Sequence, residues 1–151
     1  EVLLFAHQLI FPPEEFQGLG ARIDNTEAVL AILDEFDQLL ATFHGHLHLN
    51  RVVKRRGVLY TITAATICYP MMWRQVFVEA DGIRVKSCQL ELPEIVAKSA
   101  AVSPDRHELL LGSEADREFI IRRRQNGNLQ MSKSTRMQGR LTSSYQSKKA
   151  H

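Results

Sequence analysis

The stretch LLATFHGHLHLN, Leu39 to Asn50, decides how the rest of the chain is read. An apolar run, Leu39 to Phe43, leads directly into three of the six histidines, His44, His46 and His48, at every second position. Side chains two apart in extended backbone point the same way. The three imidazoles therefore share one expected face, while Phe43, Leu47 and Leu49 fill the other. An earlier run has the same form: VLLFAH, Val2 to His7, reads as a strand buried on both faces that also ends in histidine. Between the two runs lie QLIFPPEEFQGLG, a loop rich in proline and glycine, and DNTEAVLAILDEFDQ. In the latter, Asp24 or Asn25 can cap a helix, Glu27 sits in its first turn, and Val29, Leu30, Ile32, Leu33 and Phe36 form its apolar face. Strand, helix and strand make a βαβ unit. In open α/β sheets functional groups collect beyond the carboxyl ends of the strands, so His7 and the later cluster are expected on one rim.

Downstream the period changes. RVVKRRGVLYTITAATI reads as two strands joined around Arg55-Arg56-Gly57, and WRQVFVEADGIRVKSCQL as two more joined by Asp81-Gly82. The fold class is thus α/β, a βαβ start followed by an antiparallel meander. The run Lys54, Arg55 and Arg56 reads as a solvated turn. SPDRHELLLGSEADREFIIRRR predicts a short helix near Glu114 to Arg123. Gln125 to His151 is Gln, Ser, Lys, Arg and Gly with little apolar content, the composition of a disordered tail.

The 151 residues suffice for one domain, and 44% hydrophobic with 24% charged content is that of a globular chain. No apolar run approaches the roughly 20 residues a spanning helix requires, so a membrane partner is not expected. The start EVLLFAHQLIFPPEE has neither the basic flank nor the small-residue cleavage site of a signal peptide, and the chain opens on Glu1 without methionine, immediately before a strand, so the true N-terminus is expected to be missing. Localisation stays open, with the cytoplasm favoured. Cys68 and Cys88 lie in strand-like contexts outside any C-x-x-C pair; buried thiols are the simpler reading, and a disulfide stays open. The net charge of +2 conceals an asymmetry: residues 1 to 117 carry 11 Lys+Arg against 16 Asp+Glu, residues 118 to 151 carry 8 against 1. From Gln125 on, where Tyr145 is the one aromatic, the basic tail supports nonspecific phosphate attraction and offers almost no platform for base stacking.

Isolated histidines are usually surface or satisfied core residues, and His107 and His151 are read so. The cluster differs. Neutral imidazole is the commonest protein metal ligand, two at i and i+2 can chelate one ion or serve two, and His7 adds a third nitrogen on the same rim.

A strand ending in histidine, a helix headed by Asn25, FHGHLHLN and then YPMMWRQVFVEADGIRV together resemble the C-terminal half of calcineurin-like metallophosphoesterases. The likeness is to the bacterial branch that includes cyclic-nucleotide phosphodiesterases. It covers residues 1–92 and extends loosely over Pro93 to Arg124. It implies three parts: 1–92 as the C-terminal part of the phosphoesterase domain, 93–124 as an extension with a short helix, and 125–151 as the tail. The implied architecture is half of a four-layered α/β/β/α sandwich. The implied activity is phosphodiester or phosphomonoester hydrolysis on a pair of divalent ions, Mn, Fe or Zn. By position, His7 and His46 bind one ion and His48 the other. His44, where the family does not demand histidine, reads as incidental or as support behind the ligands, and Asn50 and Arg51 could reach a substrate from the loop after His48, with a solvated strand start the simpler reading; these three are the candidates for contact with the phosphate-ester substrate. Tyr69, Pro70 and Trp73 resemble a segment near the substrate rim, with core packing the better reading of Trp73. The family's other ligands come from N-terminal Asp-x-His, Gly-Asp and Gly-Asn-His motifs, read as absent here, so its bridging aspartate, one histidine, the asparagine ligand and the leaving-group histidine are expected to be missing. The expected partner is therefore the other half of the same domain, and this chain alone is expected not to turn over substrate. The alternative is a noncatalytic module holding one zinc through His7, His46 and His48, or a degenerate relic of a phosphoesterase.

Overall fold

The computed structural model describes residues 1–16 and 20–122, and the backbone of 131–132. The expected disordered tail lies outside the described residues, apart from that short piece. The first strand, β1 (Val2–Phe5), pairs in parallel with β2 (Leu39–His44), and the helix α1 (Thr26–Asp34) lies between them in sequence. This is the βαβ unit that the two apolar runs imply. Asn25 stands at the N-cap of α1 without a side-chain capping bond; Thr26 Oγ1 donates instead to the Ile23 carbonyl at 2.7 Å. The face of α1 is narrower than its apolar content suggests. Leu30 is buried and Val29 and Leu33 pack beside it, while Ile32 and Phe36 are 57% and 56% exposed.

The hairpin of β3 (Arg51–Arg55) and β4 (Val58–Ile62) joins the same sheet, with β4 parallel to β2, giving the order β1-β2-β4-β3. The second expected hairpin, β5 (Met72–Glu79) and β6 (Gly82–Gln89), founds a second sheet, ordered β5-β6-β7-β8. The meander is therefore two hairpins in different sheets. The linking segment after Ile62 carries the chain from one to the other, and each hairpin finds its remaining neighbours elsewhere.

Helices α2 (Pro93–Val102), α3 (His107–Leu111) and α4 (Glu114–Arg117) follow. The helix expected over Glu114 to Arg123 stops at Arg117, and Glu118–Arg122 is strand β7, antiparallel to β6. Phe119 and Ile121 explain this: they are fully buried with their neighbours half-buried, a period of two rather than 3.6. Strand β8 (Met131–Ser132) pairs with β7.

Three apolar clusters hold these parts. Leu40, Ala41, Phe43 and Leu59 of the first sheet share one buried cluster with Ile83, Val85, Phe119 and Ile121 of the second. Leu39, Val58 and Tyr60 pack against Leu30 and Ile10 on the helix side. Leu49 and Ile62 meet Leu9 and Phe16, with Leu47, Leu109 and Leu110 beside them, beneath the histidine loop. Every residue of β2 is buried, as its apolar run predicts. β1 is not the doubly buried strand its sequence suggests: it lies at the sheet edge, with Val2 45% and Phe5 64% exposed. Among the described residues no helix is long and apolar enough to cross a membrane.

Candidate functional site

The parallel register of β1 and β2 brings the histidines together. Phe5 stands opposite Phe43, and two residues on, the Gly45 N–H donates to the His7 carbonyl at 3.1 Å. His7 thus meets the Gly45-His46 step. The rings of His7 and His46 lie edge to face, with centroids 5.5 Å apart.

The cluster itself is not an extended strand. β2 ends at His44, and both His46 (φ +61°) and His48 (φ +56°) take left-handed backbone conformations. The Leu47 N–H donates to the Gly45 carbonyl at 2.7 Å, closing a three-residue turn on His46. Left-handed backbone is uncommon for residues other than glycine and is stored where surrounding structure over-determines it. Leu49, 1% exposed, and Leu47 supply that anchorage by packing below the loop. Alternation of apolar and histidine residues does divide the loop into two faces, but by turns instead of pleating.

His46, His48 and His7 border one cavity of about 730 Å³, with Phe5, Trp73 and Arg74 among its other walls. Trp73, expected in the core, is 40% exposed at this rim. Among the described residues no carboxylate lines the cavity. Nor do three or more His, Cys, Asp or Glu side chains converge there on a point fit for one ion. The imidazoles of His7, His46 and His48 thus share this wall with the buried ring of His44.

The three residues proposed to contact substrate have other work here. His44 is 3% exposed, with Nδ1 at 2.8 Å from the Gln8 carbonyl and Nε2 at 2.9 Å from Thr42 Oγ1. Burial lowers its pKa, against smaller opposing contributions from the Gln8 and Ala6 carbonyls. Asn50 is fully buried: Nδ2 donates to the Leu111 carbonyl at 3.2 Å, Oδ1 accepts from the Ala64 N–H at 3.4 Å, and its own N–H donates to the Leu110 carbonyl. Arg51 pairs with Glu15 at 3.0 Å.

Other sequence expectations are settled locally. Tyr69 stacks on His107 at 4.3 Å, and His107 Nε2 lies 2.7 Å from the Ala100 carbonyl. Contrary to the expected absence of that motif, Asp105-Arg106-His107 does spell Asp-x-His; it occupies a 3-10 turn and the start of α3. Cys68 and Cys88 are free thiols and half-buried. Cys68 Sγ lies 3.6 Å from His48 Nδ1, closer to the histidines than its sequence position suggests. Arg55 and Arg56 are not merely a solvated turn, since both pair with Asp34 at the end of α1. Arg74 carries no motif, yet it is the one cation on the cavity wall among the described residues. No family model matches the chain, and no curated protein compared with it is a significant match.

Proposed function

We propose that this chain is the C-terminal part of a calcineurin-like metallophosphoesterase domain, half of its α/β/β/α sandwich, and that its ester-hydrolysing site is completed by a segment supplying acidic ligands. The observation that carries this reading is the register of β1 on β2, which sets the His7 ring against His46 on a cavity that His48 also borders. In this reading His7 and His46 hold one divalent ion and His48 the other, each through a neutral ring nitrogen. Such an ion pair, Mn, Fe or Zn, supplies Lewis-acid polarisation of a phosphate ester and activates water. The chain's own residues orient the ligands: Leu47 and Leu49 pin the loop, and the bonds of His44 and Asn50 fix its two ends. Phosphate-ester substrates of the diester or monoester class fit a cavity with imidazole and guanidinium walls.

Metal content by plasma mass spectrometry and hydrolysis of bis-p-nitrophenyl phosphate test it, on the 151-residue chain and on a longer product of the parent gene containing Asp-x-His and Gly-Asn-His. The longer protein is expected to be active and to lose activity on His46→Ala or His48→Ala; full activity in both variants would end the phosphoesterase reading. Two tightly held metals with robust turnover in the 151-residue chain would end the claim that another segment is needed. A second reading, a single structural zinc, is favoured by the Cys68 thiol beside His48. One zinc per chain, lost on Cys68→Ser, with no hydrolysis by the longer protein, would select it.

A further inference from the structure

Arg74 projects from β5 on the same face as Met72 and Val76, into the layer between the sheets and against the cavity. Its Nη2 donates to the Ile62 and Asp116 carbonyls, both at 2.8 Å, and its guanidinium lies 5.6 Å from the Phe119 ring centroid. Nε and Nη1 are buried and have no hydrogen-bond partner among the described residues. Asp116 is the acid whose charge acts on Arg74, but its carboxylate is spent on the Val52 N–H at 2.7 Å and on the Ser113 N–H and hydroxyl at 2.9 and 2.6 Å. Burial pushes the Arg74 pKa down to about 10, with Asp116 opposing. An arginine has five donors and a charge that proteins do not remove. Keeping one buried with unmade bonds and no carboxylate of its own is costly unless an anion comes to it.

We propose that Arg74 is the oxyanion anchor of the histidine-lined cavity, offering its unspent N–H groups and its charge to the oxygens of a phosphate group. The ligand class rests on the phosphoesterase reading; the anchor does not require metal. Arginine suits this role because its donors are fixed in a plane and stay charged at any working pH. The two backbone carbonyls on Nη2 hold that plane in place and leave the remaining donors free.

The test uses the 151-residue chain in excess EDTA, with inorganic phosphate as the probe. Calorimetry is expected to show saturable binding, weakened at least about tenfold by Arg74→Gln. Arg74→Lys, which keeps the charge and loses the planar donors, is expected to fall between. In the wild-type chain phosphate should move the assigned Arg74 Nε–Hε resonance, a readout that survives even if the variants fold poorly. Absence of saturable binding, an unmoved Arg74 resonance, or equal binding by folded Arg74→Gln would each overturn the proposal. Because metal is chelated throughout, that failure leaves the metal reading standing, and loss of metal binding in His46→Ala leaves this one standing.

Discussion

A Cβ at Gly45 would lie 3.2 Å from His7 Nδ1, so the glycine between His44 and His46 supplies room for a neighbouring ring. Backbone freedom is needed one residue further on and again at His48, where imidazoles occupy left-handed positions. Gly45→Ala should therefore displace the His7 ring while costing only about 1 kcal/mol of stability, the lower end of overpacking. Ring-proton NMR of His7 and His46 would report the displacement, and unchanged shifts would mean the ring has slack. At His48 the backbone makes a separate prediction. Left-handed backbone costs an L-residue about 1–2 kcal/mol that glycine does not bear, so His48→Gly should unfold at higher urea than His48→Ala by roughly 1 kcal/mol. Equal midpoints would show that the loop relaxes out of the left-handed region once the imidazole is gone. Neither His46 nor His48 could be seen as left-handed from sequence, because strict alternation of apolar and histidine residues is also what a pleated strand writes.

The α1 helix and the β3–β4 hairpin are joined by Asp34, which accepts from Arg55 Nη1 and, at 2.9 Å, from Nη2, with Arg56 at 3.3 Å. The Arg55 hydrogen bonds, then the nearby guanidinium charges, hold the Asp34 pKa below the ordinary carboxylate value despite an opposing desolvation. A carboxylate whose pKa is depressed by folding stabilises fully above its unfolded value, about 3.9, and loses that contribution as pH falls through the folded value. Both side chains are about one-fifth exposed, 21% and 20%, so the pair belongs near the upper end of surface ion pairs. Asp34→Asn should destabilise by about 0.5–1 kcal/mol at pH 7, with the difference from wild type vanishing in urea melts near pH 2; a difference that persisted there would locate the effect in packing. At this scale the sequence was legible where one element carries one period. VLLFAH, the α1 run and both hairpin turns appear where their patterns put them. It misled where two signals overlap: GSEADR opens a genuine helix with Ser113 and Asp116 in a capping box, and only Phe119 and Ile121 turn the continuation into a strand. Arg74 was illegible for a related reason. In MWRQVFVE both alternate faces carry apolar and polar residues, and only the packing of Val76 into the inter-sheet core assigns the arginine inward.

For the molecule as a whole, one cluster with Phe43, Leu59, Val85 and Phe119 joins the two sheets, while among the described residues β1 is an edge strand of the first. Which hairpin joins which sheet depends on long-range pairing that local patterns do not encode, so the split of the meander had to come from the structure. The β1 edge has a definite chemistry. Phe5 stacks on Phe43 at 5.0 Å but is itself 64% exposed, and Ile67 (82%) and Trp73 (40%) line the same cavity mouth. Among the described residues no strand pairs with the outer side of β1, and an edge strand beside an apolar rim is the combination that recruits another chain. The isolated chain is accordingly expected to self-associate over roughly 1–100 μM, seen as a rising weight-average sedimentation coefficient. Phe5→Glu places a charge on the exposed ring position without touching the histidines, and should shift association to at least about tenfold higher concentration, since about 1.4 kcal/mol of lost apolar burial suffices for that factor. Under the proposed phosphoesterase reading, the same substitution in a longer protein should instead destabilise the fold, because the segment proposed to complete the site would cover the ring. A wild-type chain that stays monomeric across the whole range would mean that the open edge is protected in some other way, and the need for a covering segment would lose its support.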